Sequence, residues 1–596
     1  MKRYLLFFLA LGILSTQAQE QAATPAAAPP IAPKPVEPAL LEVTLNFRLD
    51  QINLKSSRAT HQLLVSQQAG GLEKDITHEV NLISTPPGVV EIDEYGHITP
   101  LKNGETTITA ALPGTKSKSP SVTRVKVTDL EVAQKIQFAQ EVVPVFTKYG
   151  CNGGGCHGKS GGQNNFRLSL FGYEPWNDHD WLVRESRGRR LSPAAPENSI
   201  LLMKATGEIP HEGGIRLEKD SPDYNTITSW IRQGAEYDQE KEAALKIDRI
   251  AVSPTERVCE PGARQQLAVT AYFSDGTSKD ITRLAIFEAN QKGMAEVDEK
   301  GLVTLESQTG TTSIMVRFQE YVDVFRATIP LGEKIDSLPE TKNFIDEEIF
   351  KKLSLLGLPP SKLSDDASFI RRVTIDITGR LPSPEETITF LGSKSANKRA
   401  EKIDQLLESP DYAAYFAQKW ASILRNKRTK DTYQRGTYAF HDWLRTGLQE
   451  NKPYNELVTE LVTASGEVGR NPAVAWYRSV KDSKEQMQDL AQVFLGIRMQ
   501  CAQCHHHPYE KWSQDDYYSF AAFLSSVGRK KGEQPDEEII FHKRVAPTMQ
   551  NPNTKVALQP AVLGEDPLTL SINDDPRTAL AGWLTNEENP WFSRML

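Results

Sequence analysis

The sequence predicts a multidomain chain in which β-sandwich modules alternate with all-α domains. Three observations carry this. The length, 596 residues, is enough for roughly three to six domains at the usual ~100–200 residues each. Two β-rich segments repeat each other at one fixed offset: Asp75 and Asp280, and again Asp93 and Asp298, stand 205 residues apart. From Asn343 onward, apolar residues recur at helical spacing rather than strand spacing. The composition, 39% hydrophobic and 24% charged with 38 Gly and 36 Pro, excludes a disordered, collagen-like or low-complexity chain. A net charge of −8 argues against nucleic acid as a partner. Five cysteines are too few for a disulfide scaffold. Four of them form two tight pairs, each followed at once by histidine.

In chain order, residues 1–18 read as a secretory signal. Lys2 and Arg3 supply the positive start, Leu5 to Leu14 an apolar run, and Thr16-Gln17-Ala18 the small-residue cleavage site. That run is too short to span a bilayer, which takes about 20 residues, and no later segment is longer. An uncleaved anchor is the alternative. The expected location is secreted or periplasmic, in an oxidising compartment and with no transmembrane segment once the signal is removed. Residues 19–40 form an Ala/Pro-rich linker that has nothing with which to build a core.

The first β segment holds Lys74-Asp75-Ile76-Thr77 and Asp93-Glu94-Tyr95-Gly96. The second holds Lys279-Asp280-Ile281-Thr282 and Asp298-Glu299-Lys300-Gly301. Asp-Glu-Xaa-Gly is a hairpin turn with Gly supplying positive φ. Short β-rich runs surround these landmarks: Leu41 to Phe47, Thr106 to Ala111, Gln266 to Phe273 and Thr312 to Phe318. With Gly104-Glu105-Thr106-Thr107-Ile108 and Gly310-Thr311-Thr312-Ser313-Ile314 completing the pattern, segments 41–129 and 244–332 resemble group 2 bacterial immunoglobulin-like domains. The resemblance implies spacers, or modules that contact a cell surface or carbohydrate. Cys259, unmatched in the first repeat, reads as an unpaired buried thiol without chemistry.

Cys501-Ala502-Gln503-Cys504-His505 has the spacing of a c-type haem attachment motif. Two thiols add to the two haem vinyl groups, and the adjacent histidine ligates iron. A redox disulfide, or zinc held with His506 and His507, are the other readings. Cys151-Asn152-Gly153-Gly154-Gly155-Cys156-His157 is a widened version whose glycines make the loop pliable. A local disulfide fits that string equally well. Val142 to Gly150 is a helix candidate leading into it, and Asp223 to Gly234 an amphipathic helix ending on Gly.

With Arg167 to Gly172, Arg187 to Arg190 and Lys204 to Gly214 added, segment 130–243 resembles the small cytochrome c-like domain of planctomycete and related secreted proteins. The resemblance implies His157 as proximal iron ligand and offers His211 as the sixth. Met203 competes with His211, since Met/His ligation is common.

Ser383-Pro384-Glu385-Glu386 is a capped helix start, and helical patterns cover 397–408, 411–426, 437–450, 453–464 and 482–500. Phe344-Ile345, Ile349-Phe350 and Leu353 share one face. Phe369 to Arg372, Asp376 to Pro382, Ser409 to Tyr412, Asp489 to Ile497 and Cys501 to Pro508 with Lys511-Trp512 give residues 343–528 a resemblance to a planctomycete-type, cytochrome-associated helical family of unknown function. His507, His441, Met487 and Met499 are candidate sixth ligands there. Residues 529–596 read as a linker and the opening of a truncated further domain.

These readings imply two covalently attached haem c groups, bound by Cys151, Cys156, His157, Cys501, Cys504 and His505, in an exported electron-transfer protein with an unidentified redox partner. Two other classes remain. One is an extracytoplasmic enzyme, haem-dependent or acting on polysaccharide, fed by the cytochrome domains; no catalytic arrangement identifies itself. The other is a surface adhesion protein whose Cys–His motifs are disulfides or metal clips.

Overall fold

The structure, a computed structural model, describes residues 41–595 except 70–71, 118–120, 133, 160, 238–246, 429–433, 506, 508–509, 511 and 535–536. The signal at 1–18, the linker at 19–40, and His506, Pro508 and Lys511 lie outside the described residues. The architecture is multidomain and mixed, with β modules and helical regions following one another along the chain.

The first β module comprises β1 (Leu45–Phe47), β2 (Gln51–Lys55), β3 (His61–Gln62), β4 (Val65–Ala69), β5 (Leu72–Asp75), β6 (Asn81–Thr85), β7 (Val90–Ile92), β8 (His97–Pro100), β9 (Gly104–Ala111) and β10 (Ser121–Thr128). The second comprises β11 (Ile247–Ser253), β12 (Glu256–Val258), β13 (Arg264–Gln266), β14 (Ala268–Phe273), β15 (Ser278–Asp280), β16 (Ile286–Ala289), β17 (Ala295–Val297), β18 (Leu302–Leu305), β19 (Gly310–Phe318) and β20 (Tyr321–Ile329). Three sheets of the first, ordered β1-β4-β5, β2-β10-β9-β6 and β3-β8-β7, recur strand for strand in the second as β11-β14-β15, β12-β20-β19-β16 and β13-β18-β17. Even the parallel pair recurs, β2 with β10 and β12 with β20. A short ribbon pairing Leu41–Val43 with Thr115–Ser117 is an addition of the first module.

The alternation expected of half-buried strands is visible in β10, where Ser121, Thr123, Val125 and Val127 are buried and their neighbours are not. Gly96 and Gly301 close the Asp-Glu-Xaa-Gly turns at φ of 73° and 81°. Cys259 is a free thiol in the core of the second module.

The repeated Lys-Asp-Ile-Thr element has a purpose that repetition alone does not disclose. Asp75 accepts from the amide of its own Thr77 and, with its other oxygen, from the amide of Gln266 in the second module. Asp280 accepts from its own Thr282 amide and from the Gln62 amide in the first, at 2.9 Å. The two glutamines are equivalent in turn, Gln62 donating to the Leu63 and Tyr95 carbonyls and Gln266 to the Leu267 and Lys300 carbonyls. Arg283–Asp93 and Arg257–Glu73 ion pairs, at 2.7 and 2.8 Å, flank this exchange. The two modules therefore clasp each other, a contact that the reading of each as a spacer or surface-contacting module did not include.

Between the modules lie α1 (Val143–Lys148), α2 (Pro175–Val183), α3 (Ile200–Ala205) and α4 (Pro222–Arg232), around a core that includes Phe138, Leu182, Leu202, Ile227 and Trp230. After the second module come α5 (Phe344–Leu356), α6 (Asp366–Thr378), α7 (Pro384–Gly392), α8 (Lys398–Leu407), α9 (Pro410–Ile423), α10 (Gln434–Gln449), α11 (Tyr454–Val462), α12 (Trp476–Ser479), α13 (Ser483–Phe494) and α14 (Gln514–Ala522). Several starts are set by side-chain caps that satisfy first-turn amides: Asn343, Asp365, Ser383, Ser409, Asp482 and Ser513.

Residues 529–596, read from the sequence as a linker and the opening of a further domain, carry described segments that pack on the helical region. A hairpin (Val527–Lys531 with Glu538–His542) and α15 (Pro576–Leu584) follow. Val562, Leu563, Leu580, Leu584 and Phe592 enter the same core as α10, α11, α13 and α14. Arg577, 1% exposed, locks α15 in place by donating to the Ala464 carbonyl and to Ser465 Oγ, both at 2.7 Å.

Candidate functional site

Helix α1 delivers the first Cys–His motif. Lys148 and Tyr149 at its end both reach Asp223 of α4, at 2.7 and 2.8 Å, which fixes the point where the helix stops. Backbone bonds then wind the motif tightly. The Cys151 amide donates to the Phe146 carbonyl, the Cys156 amide to that of Gly153, and the His157 amide to that of Cys151 at 3.0 Å. Of the three consecutive glycines, Gly154 and Gly155 have room for a Cβ, and only Gly153 would meet backbone, the Gly150 carbonyl oxygen at 3.2 Å. A Cβ on Gly158 would stand 2.0 Å from the Asn152 carbonyl oxygen, so the residue after the histidine is the one that must be glycine. Buried Asn152 ties the loop back to Thr147 Oγ1 at 2.8 Å.

A cavity of about 320 Å³ opens beside this loop. Cys151, Cys156 and His157 line one part of it and His211 another, while Phe146, Leu168, Leu202, Leu217 and Ile227 make apolar walls. Its charged lining side chains are Arg189, Arg190, Lys204 and Arg216, all cationic. Met203, the competing ligand candidate, lies on α3 but does not line the cavity.

The rings of His157 and His211 have centroids 6.4 Å apart and planes within 5° of parallel. The Nδ1 of His157 is 2.9 Å from the Phe166 carbonyl, and that of His211 is 2.9 Å from the Gly214 carbonyl. A carbonyl only accepts, so each Nδ1 carries a proton, and in the neutral ring the lone pair lies on Nε2. Burial holds His157 below the usual histidine pKa. Burial, with Cys156 beside it, pushes the Cys151 thiol up to about 11. That disfavours a reactive thiolate at neutral pH.

A haem suits this geometry. One metal bonded to two imidazole nitrogens at about 2 Å from each places the ring centroids roughly 6 Å apart, close to the observed spacing. The apolar walls suit a porphyrin, and the cationic lining residues Arg189, Lys204 and Arg216 suit its carboxylates. The residues at the first motif fit the group.

The second motif follows α13. The helix ends with the Leu495 and Ile497 amides both donating to the Ala491 carbonyl, and a 3₁₀ turn, Met499–Gln503, carries Cys501. Cys501 and Cys504 are exposed free thiols. The Gln503 carbonyl is held by Gln514 Nε2 at 2.9 Å and by the Tyr518 hydroxyl at 3.1 Å. The sixth-ligand candidates are placed as follows. Met487 and Met499 are packed in the helical core. His507 is buried with Nε2 3.0 Å from the Arg498 carbonyl. His441 lies on α10. Burial holds the His507 pKa down, and the charge of Arg317 adds to this.

That arginine belongs to the β19–β20 hairpin, which reaches the first motif as well. Arg317 Cζ lies 4.6 Å from the Phe171 ring centroid, and the Phe171 amide donates to the Asn152 carbonyl at 3.1 Å. Gln319 Nε2 donates to the Ala139 carbonyl. Among the described residues no helix is long and apolar enough to cross a membrane.

Sequence reasoning missed Phe166 and Gly158. Gly158 had a signal, a glycine directly after the histidine. Phe166 acts through its backbone carbonyl and has none, and Arg190 stood in the Arg187 to Arg190 string with no role attached to it.

No curated protein matches the chain. Among solved structures, domains 4–9 of the surface layer protein SbsC match at 11% identity, over 50% of this chain and 32% of that one, with a TM-score of 0.14; the chain thus spans about a third of that protein's length. Domains 5–6 of the S-layer protein SbsC match at 10% identity over 49% and 99%, TM-score 0.20. InvD of Yersinia pseudotuberculosis matches at 10% identity over 50% and 60%, TM-score 0.10. Likenesses this weak carry no argument about fold. The helical region gives a firmer result: residues 344–529 match PSCyt2, a protein family of unknown function (DUF1549), which is a planctomycete cytochrome-associated domain family.

Proposed function

We propose that the chain is an exported dihaem c-type cytochrome that passes electrons between partner proteins. The observation carrying this reading is one cavity that gathers two free thiols and two parallel imidazoles 6.4 Å apart, each with its Nε2 lone pair available. In this reading Cys151 and Cys156 would hold the first haem by thioether bonds, and His157 and His211 would bind its iron. Cys501, Cys504 and His505 hold the second. Bound haem c supplies a one-electron couple that stays with the chain outside the cell membrane.

The chain's own residues do the rest. Phe146, Leu168 and Leu217 exclude water from the cavity, and the Phe166 and Gly214 carbonyls fix the tautomer of each imidazole. Arg189, Lys204 and Arg216 give the cavity lining a positive field. Segment 130–243 is read as cytochrome c-like on the arrangement of α1, motif and α4. Segments 41–129 and 244–332 are read as immunoglobulin-like on their shared strand order, forming a paired platform.

The test is a pyridine haemochrome assay on chain produced with a c-type maturation system. Two haems per chain are expected. Cys151→Ser with Cys156→Ser should remove one, and Cys501→Ser with Cys504→Ser the other. A spectrum free of c-type haem ends the reading.

A further inference from the structure

One charged side chain in the cavity wall is spent entirely on the chain itself. Arg190 is 7% exposed. Its Nη1 donates to the carbonyls of Trp181 and Glu185, and its Nη2 to the Asn165 carbonyl at 2.7 Å and to Ser186 Oγ at 3.2 Å. The Glu185 carboxylate is 4.0 Å away. Arg190 Cζ also lies 4.7 Å from the Phe166 ring centroid. Burying a cation is costly unless its donors are satisfied, and here the bonds go to the loop backbone and its flanks.

Those loops need the help. Asn164 and Asn165 have φ of 50° and 57°, and Ser186 and Arg187 have 53° and 62°, a left-handed region that non-glycine residues adopt only when their surroundings hold them there. The guanidinium therefore holds the carbonyl of Asn165 and lies against the ring of the next residue, Phe166, which owns the carbonyl oxygen facing His157. That oxygen accepts from the Gln163 amide and from His157 Nδ1, each at 2.9 Å.

We propose that Arg190 is a positioning residue for His157: by holding the Asn165 carbonyl and the Phe166 ring it fixes the acceptor for Nδ1–H, and so sets the donor strength of Nε2 and the reduction potential of the first haem. The proposal rests on the haem reading above. A firm Nδ1–H bond makes the ring a stronger electron donor and favours the ferric state. Loosening it raises the potential.

Lysine keeps the charge but not the planar fork, so R190K isolates the positional effect. The expected result is an upward shift of the first midpoint potential, with two haems per chain and the second potential unmoved. Faster solvent exchange of the His157 Nδ1 proton should accompany it. Phe166→Leu, which removes the ring and leaves the carbonyl, should give a smaller shift of the same sign, and it decides the matter if R190K does not fold. Two haems with an unmoved or lowered first potential in these variants overturn the proposal while the haem reading stands. An unaltered chain that takes up no c-type haem overturns both.

Discussion

Asp178 on α2 spends both carboxylate oxygens on one residue, accepting the Ser169 amide and the Ser169 hydroxyl. Ser169 follows Leu168, whose amide donates to the His157 carbonyl at 2.8 Å, so this carboxyl anchors the strand of chain beside the first motif. Burial pushes its pKa up to about 7, with the Ser169 bonds pulling the other way. The unfolded value is about 3.9. A carboxyl raised on folding favours the protonated native state, so its stabilising contribution is complete below the unfolded pKa and fades as pH rises through 7. The thermal midpoint of the chain should therefore fall between pH 5 and pH 8, and Asp178→Asn should flatten that slope.

His211 makes a separate prediction. Haem-loaded His211→Ala should keep two haems, because thioethers hold them, yet shift the first from a low-spin to a high-spin spectrum. An unchanged spectrum would place the sixth ligand elsewhere. At this scale the sequence displayed the two Cys–His motifs, because cysteine and histidine in fixed spacing are rare. It could not display Phe166, whose contribution is a carbonyl oxygen that any residue carries, and it showed Arg190 in a string without showing which backbone it grips.

At the scale of elements, the motif loop and the Lys-Asp-Ile-Thr element are both backbone devices. Gly158→Ala should lose haem at the first motif alone, since the added Cβ meets the Asn152 carbonyl at 2.0 Å and backbone cannot yield as a flexible side chain does. Asp75→Asn sets an NH₂ group against an amide donor, leaving one buried N–H unpaired at a cost of about 1–3 kcal/mol. Chemical denaturation should show that loss, and Asp280→Asn should match it. The helices tell a complementary story. Phe344, Ile345 and Ile349 share a face as their spacing requires, but they are 74%, 56% and 52% exposed on α5. Periodicity reveals that a face exists. What lies against it depends on the rest of the molecule.

At the scale of the whole molecule, sequence order and spatial order part. Along the chain the helical segment 130–243 separates the β modules, yet the modules bond to each other across about 200 positions. No local pattern announces a contact of that span. The outcome is measurable. A protease site placed between residues 237 and 247, once cut, should leave fragments that co-elute, and Asp75→Asn with Asp280→Asn should release them. The β19–β20 hairpin extends this platform, touching the segment next to the first motif through Arg317 and Gln319. The C-terminal residues belong to the same logic. Deletion from Asp575 onward should lower the melting temperature of the helical region, because Leu580, Leu584 and Phe592 leave its core.

The exchanged carboxylates also decide what can be cut out and reused. Each repeat carries an aspartate whose second oxygen is completed by an amide of the other, so an excised repeat holds a half-satisfied acceptor and offers the matching amide to nothing. Neither is a cassette. Transplanted alone, either should seek a second copy of itself and pair as a homodimer, since each repeat carries both halves of the bond.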